Sequence, residues 1–101
     1  IKAIEEEINE VTKELSQLRD KIKEMGKVKA LILIRIIEKL IGNSKRSIEG
    51  AKKALNYGDL EMVKKLIEIS KRLLKAVDRA LERLKAMIEE HESSLIVGKK
   101  A

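Results

Sequence analysis

LEMVKKLIEISKRLLKAVDRALERLKAMIEEH, residues 60–91, decides the fold. Leu60, Val63, Ile67, Ser70, Leu74, Val77, Leu81, Leu84, Ile88 and His91 recur at alternating intervals of three and four, and Leu95 continues the series. A strand would alternate every second residue; this period is the a/d seam of a coiled-coil-like helix. Two further seams precede it in different phases. Ile1, Ile4, Ile8, Val11, Leu15, Leu18, Ile22 and Met25 form the first, and Ile34, Ile37, Ile41, Ser44, Ile48, Ala51 and Leu55 the second.

The phase changes locate the turns. Ile34 follows Ile22 by twelve residues, five more than the repeat of seven, and at about 100° per residue that offset of twelve swings the apolar stripe by roughly 120°. A turn at Met25, Gly26 and Lys27 removes the conflict, with Gly26 as the left-handed cap. The slip recurs between Leu55 and Leu60. There Asn56, Tyr57, Gly58 and Asp59 supply a glycine past one helix end and an Asp N-cap for the next.

Helices over about 1–25, 28–56 and 60–94 follow, giving rods of roughly 36, 44 and 52 Å at 1.5 Å per residue. Connections this short force antiparallel neighbours. The expectation is an all-α, antiparallel, up-down-up three-helix bundle occupying residues 1–92, with a C-terminal tail at 93–101. Gly42, Asn43 and Ser44 are a candidate kink in the second helix, and exchange of the first helix across Gly26 is a route to a domain-swapped form.

The g positions widen the seams to a three-in-seven face: Leu33, Leu40, Ser47 and Ala54 on the second helix, Leu66, Leu73, Ala80 and Met87 on the third. Ser44, Ser47, Ala51 and Ala54 form a small-residue stripe suited to close helix approach.

Composition excludes several kinds of chemistry. There is no Pro, Cys, Trp or Phe, and Tyr57 is the lone aromatic, so thiol chemistry and base stacking on Phe or Trp are out. His91 is the one histidine; at a d position near a helix end it reads as an end-of-core residue. The Glu5, Glu6, Glu7, Glu10 and Glu14 group lacks the Glu-x-x-His partner of a di-metal bundle site and reads as an acidic helix start favoured by the helix dipole. No glycine-rich phosphate loop is present. The sequence predicts no enzyme, catalytic residue, metal, cofactor or small-molecule substrate.

Charged residues make up 40% of the chain, with Lys, Glu and Ile heavily used, a balance shared by thermophile proteins and idealised designed bundles. The longest mostly apolar run, residues 30–41, contains Arg35, Glu38 and Lys39 and is too short for a bilayer span of about 20 residues. The start at Ile1, with Glu5 to Glu7 where an apolar signal region would lie, predicts a trimmed, soluble, intracellular protein.

Two surface features carry functional expectations. Basic doublets at e and f positions (Lys45 and Arg46, Lys52 and Lys53, Lys64 and Lys65, Lys71 and Arg72) give residues 44–79 ten Lys or Arg against five Asp or Glu, within a net charge of +6. Counting outward from the turn sets Lys52 by Lys64 and Lys45 by Lys71, a like-charge arrangement that calls for an anion. Either a nucleic-acid backbone or the acidic first half of helix 1 answers it. Leu31, Ile32 and Ile36, with the c-position stripe of Met62 and Ile69, exceed what one core needs and point to self-association as a homo-oligomer. A fold-back of Leu95, Ile96 and Val97 over Ile32 and Ile36 is the intramolecular alternative. The leading expectation is a non-enzymatic, self-associating structural or assembly bundle, either natural or designed without a natural biochemical function, ahead of a small basic nucleic-acid-associated protein of a thermophile that grips the phosphate backbone through the doublets.

Overall fold

The computed structural model describes the backbone of residues 1–100 and the side chains of residues 1–94. It contains three helices: α1 (Lys2–Met25), α2 (Val28–Asn56) and α3 (Leu60–Lys100). The fold is the expected all-α three-helix bundle. It is a rod of 65 × 19 × 16 Å, and its long axis matches α3, whose 41 residues span about 61 Å at 1.5 Å each.

Both turns form as the phase slips require. Gly26 adopts φ 63°, ψ 22°, and its N–H donates to the Ile22 carbonyl at 3.2 Å, the single bond of an αL cap. At the second turn Gly58 has φ 76°. Asp59 N–H donates to Ala54 O at 2.9 Å and Gly58 N–H to Leu55 O at 3.1 Å, a Schellman pair. Asp59 then caps α3, its Oδ1 accepting from Met62 N–H at 3.1 Å.

α2 is one helix through Gly42, Asn43 and Ser44, because the seven-residue seam on either side buries enough apolar surface to outweigh the ~1 kcal/mol that a helical glycine costs. α3 likewise runs on through Ser93 and Ser94, beyond the expected end near residue 94. Serine is only a mediocre helix former. Side chains of Leu95, Ile96 and Val97 lie outside the described residues, and so does their expected packing over Ile32 and Ile36.

The core is built from the three seams. Ile22, Ile37, Ile48, Leu74, Val77 and Leu84 are fully buried, each contributing about 1.5–3 kcal/mol of apolar burial. Two seam residues depart from expectation: Leu55 is 51% and Leu60 62% exposed. Both flank the Tyr57–Asp59 turn at the end of the rod, where α1 is only beginning and little remains to cover them. The g residue Ala54 is buried in their place.

α2 and α3 share the most extensive contact, and α1 lies against both. Between α2 and α3 the small-residue stripe works as expected. Ser44 and Ser70 meet in the core with 2.6 Å between their hydroxyl oxygens, and Ser70 Oγ also reaches Ser44 O at 3.3 Å. Both serines are fully buried. Sliding the helices by one heptad would set the Ser44 hydroxyl against Val63 or Val77, so this polar pair fixes register.

Candidate interaction surface

Each helix of a three-helix bundle has two neighbours, and its e and g flanks face different ones. Ion pairs show which is which. Lys52 Nζ donates to Glu5 Oε2 at 2.7 Å, and Arg19 pairs with Glu38. Fourteen residues separate Glu5 from Arg19 going up α1, and fourteen separate Lys52 from Glu38 going down α2, so both pairs obey one antiparallel register. The e row of α2 therefore flanks α1. On α3 the e residue Lys85 reaches Glu14 at 2.5 Å, so this e row flanks α1 too.

The e rows of α2 and α3 thus do not face one another, contrary to the pairing of Lys52 with Lys64 and Lys45 with Lys71 across one seam. α2 and α3 meet instead through their g rows. The position a Gly50 Cβ would take lies 3.2 Å from Leu66 Cδ1, and Leu33 and Leu40 share a hollow with Ala80. The physical reason is composition: the g rows are apolar or small and bury against each other, whereas the charged e rows remain beside α1.

Internal charge complementarity accounts for part of the basic set. The Lys52 ammonium is held above the usual lysine range chiefly by its hydrogen bond to Glu5, against partial desolvation, with the charge of Glu49 adding. Lys85 is raised in the same direction, first by its hydrogen bond to Glu14 and then by that carboxylate's charge. Of the eight doublet residues, Lys52 alone has an ion-pair partner among the described residues. Their e members (Lys45, Lys52, Lys64, Lys71) border α1, and their f members (Arg46, Lys53, Lys65, Arg72) point away from the core.

The opposite side of the α2–α3 pair is covered by none of the chain's helices over its described residues. Its surface is made by the g and c rows of both helices, with the f rows as rims. Leu33, Leu40, Leu66, Leu73 and Met87 are half-buried along its floor. Ile36 is 47% exposed, and Ile69 and Met62 are each 45% exposed above it. Of the residues expected to drive self-association, Ile36, Met62 and Ile69 belong to this face. Ile32 stands on its rim, and Leu31, an e residue, is on the α1 side.

Sequence reasoning missed the charge pattern of this face. The seven acidic residues of α2 and of α3 up to residue 89 (Glu38, Glu49, Glu61, Glu68, Asp78, Glu82 and Glu89) all occupy b or e positions, toward α1. The c, f and g rows of the same segments contain no acid, and eight bases: Lys29, Lys39, Arg46, Lys53, Lys65, Arg72, Arg79 and Arg83. Sorting acids by heptad letter would have revealed it.

The remaining features offer no reactive arrangement. His91 is half-buried beside Met25, Ile88 and Glu92 at the far end of α1. Among the described residues no group of three or more His, Cys, Asp or Glu is placed to hold a metal ion, and no helix is long and apolar enough to cross a membrane. Comparison with protein-family models, curated proteins and solved structures finds no match for this chain.

Proposed function

We propose that the chain is a non-enzymatic assembly module that works by docking another surface onto the outer face of α2 and α3. The observation that carries this reading is the uncovered apolar strip of Ile36, Met62 and Ile69 over a half-buried leucine floor. Soluble domains seldom leave an extended apolar strip bare unless it binds something. The bundle itself supplies rigidity: the register pin at Ser44 and Ser70 and the caps at Gly26, Gly58 and Asp59 hold the face in one shape.

Because the chain contains no cysteine, a solvatochromic dye on Ile69→Cys reports cleanly on this face, with Lys75→Cys as a control on the α1 side. Three challenges test the reading: concentration of the chain to about 1 mM, an acidic helical peptide, and anionic vesicles. A blue shift at residue 69 but not at 75 in any of them supports docking. A dye that stays water-exposed in all three overturns the proposal.

Nucleic-acid binding is a second reading, favoured by the seven doublet residues that carry no ion pair among the described residues. Tight binding to duplex DNA, with log K falling steeply against log salt, would support it. Absence of binding at about 50 mM salt removes it.

A further inference from the structure

The two sides of the α2–α3 pair pose the same packing problem, and among the described residues it is solved on one side only. There the cover is α1, an amphipathic helix whose apolar seam enters the core while Glu5 and Glu14 on its flanks pair with Lys52 and Lys85. The uncovered side offers the same combination: an apolar floor between rims that are basic on both helices. Small residues at Ser47, Gly50, Ala76 and Ala80 keep that floor low, so a helix backbone can approach closely.

We propose that the outer face of α2 and α3 is a docking groove for an acidic amphipathic helix of a partner protein, completing a four-helix arrangement. The inference rests on the docking role proposed above and specifies the chemistry of the occupant. Charge selects among occupants. A second copy packed face to face would set Arg46, Lys53, Lys65, Arg72 and Arg79 against bases of the other copy, with Glu90, toward the far end of α3, the one acid on the c, f and g rows of either face. An anionic bilayer would satisfy the charge, but the apolar side chains that stand above the floor, Ile36, Met62 and Ile69, include no Trp, Phe or Tyr of the kind a surface anchor inserts. A helix fits both the trough and its rims: apolar a and d residues on the floor, and Glu at e and g reaching the flanking Lys and Arg.

The test uses the full chain and a labelled synthetic peptide of four heptads, with Leu at a and d, Glu at e and g, and Gln elsewhere, beside a version with Lys replacing every Glu. Fluorescence anisotropy should show saturable binding of the Glu peptide, weakening as salt rises, and binding of the Lys peptide at least tenfold weaker. Reversing three rim charges (Lys65→Glu, Arg72→Glu, Arg79→Glu) should weaken the Glu peptide about tenfold or more. Reversing three bases on the α1 side (Lys64→Glu, Lys71→Glu, Lys75→Glu) should change it less than threefold, which separates a built face from net charge. Circular dichroism checks that each variant remains helical. Equal binding of the two peptides, or equal effects of the two triple variants, overturns the inference.

No binding of the Glu peptide overturns it as well, and the dye on Ile69→Cys then says what falls with it. A blue shift on phosphatidylserine vesicles, or on concentration with dimerisation in light scattering, leaves the docking role standing with another occupant. No shift in any arm sinks both.

Discussion

Replacing Ser70 by Ala tests whether a polar contact in the middle of an apolar seam holds α2 and α3 in register. The substitution removes the 2.6 Å contact to Ser44 Oγ and the 3.3 Å contact to Ser44 O, and it leaves a fully buried hydroxyl on Ser44 without its cross-helix partner. A buried unsatisfied hydroxyl costs about 1–3 kcal/mol. Ser44 can turn back to the Leu40 carbonyl one helical turn away, as serines in helices do, which brings the expected loss to about 1–2 kcal/mol. Ser44→Ala should cost less, about 0.5–1 kcal/mol, because the Ser70 hydroxyl keeps the backbone carbonyl of residue 44 as an acceptor. The double variant leaves two methyl groups facing each other with nothing polar to desolvate, so it should lie within about 0.5 kcal/mol of the parent.

The double-mutant cycle then gives a coupling of about 1–3 kcal/mol. Guanidinium denaturation followed by far-UV circular dichroism measures it, with an unchanged m-value confirming two-state behaviour. Ser70→Ala should also lower Tm by about 5–15 °C, and Ser44→Ala by roughly half as much. Additive losses, with the double variant as poor as the two singles summed, would refute the register-pin argument.

Gly42→Ala, whose new Cβ meets nothing within 4 Å, should stabilise the chain by about 0.5–1 kcal/mol; Gly50→Ala should gain less, because its Cβ would push on Leu66. Chemical denaturation ranks the two, and a larger gain at Gly50 would contradict the g-row packing. Ile37→Ala, at a fully buried seam position, should cost about 2–5 kcal/mol in the same assay. Asp59→Ala should remove about 1 kcal/mol through loss of the cap on Met62 N–H. For pH, Lys52 and Lys85 bind their protons more tightly in the folded state. Their contribution is therefore intact below the ordinary lysine value of 10.5 and is lost as pH climbs through the raised folded-state value. The Tm gap between the parent and a Lys52→Met, Lys85→Met variant should hold up to about the ordinary lysine value of 10.5 and close above it; a constant gap would show that the ammonium charges are not its source.

Much of the fold is legible in the sequence because seams, phase slips and turn residues agree with one another. Ile22 to Ile34 and Leu55 to Leu60 each break the seven-residue repeat at a glycine, and the helix boundaries at Met25, Val28, Asn56 and Leu60 follow. Flank assignment was not legible in the same way. A heptad wheel shows that e and g lie on opposite sides of the seam, but it does not say which side belongs to which neighbour. That choice comes from the apolar g rows finding each other, and it moves Lys45 and Lys52 from an α3-facing position to an α1-facing one. The surface strip was half legible: Met62 and Ile69 stand out as c residues, whereas Leu31, adjacent in sequence to Ile32, turns to the other side of α2 because one residue is a 100° step. Ser93 and Ser94 look like a stop and are not one, since a helix end needs a better alternative for its backbone than two serines provide.

α1 is the least extensively contacted of the three helices, and it is joined to α2 by only Gly26 and Lys27. Thermodynamically it behaves like a ligand tied to its own receptor, with a local concentration in the millimolar range for so short a tether. A free competitor resembling α1 must approach that concentration to displace it, so the cis site is insulated from partners present at micromolar levels. Cutting the chain at Gly26 would abolish that advantage and turn occupancy of the site into an ordinary bimolecular equilibrium, governed by how much of each piece is in solution.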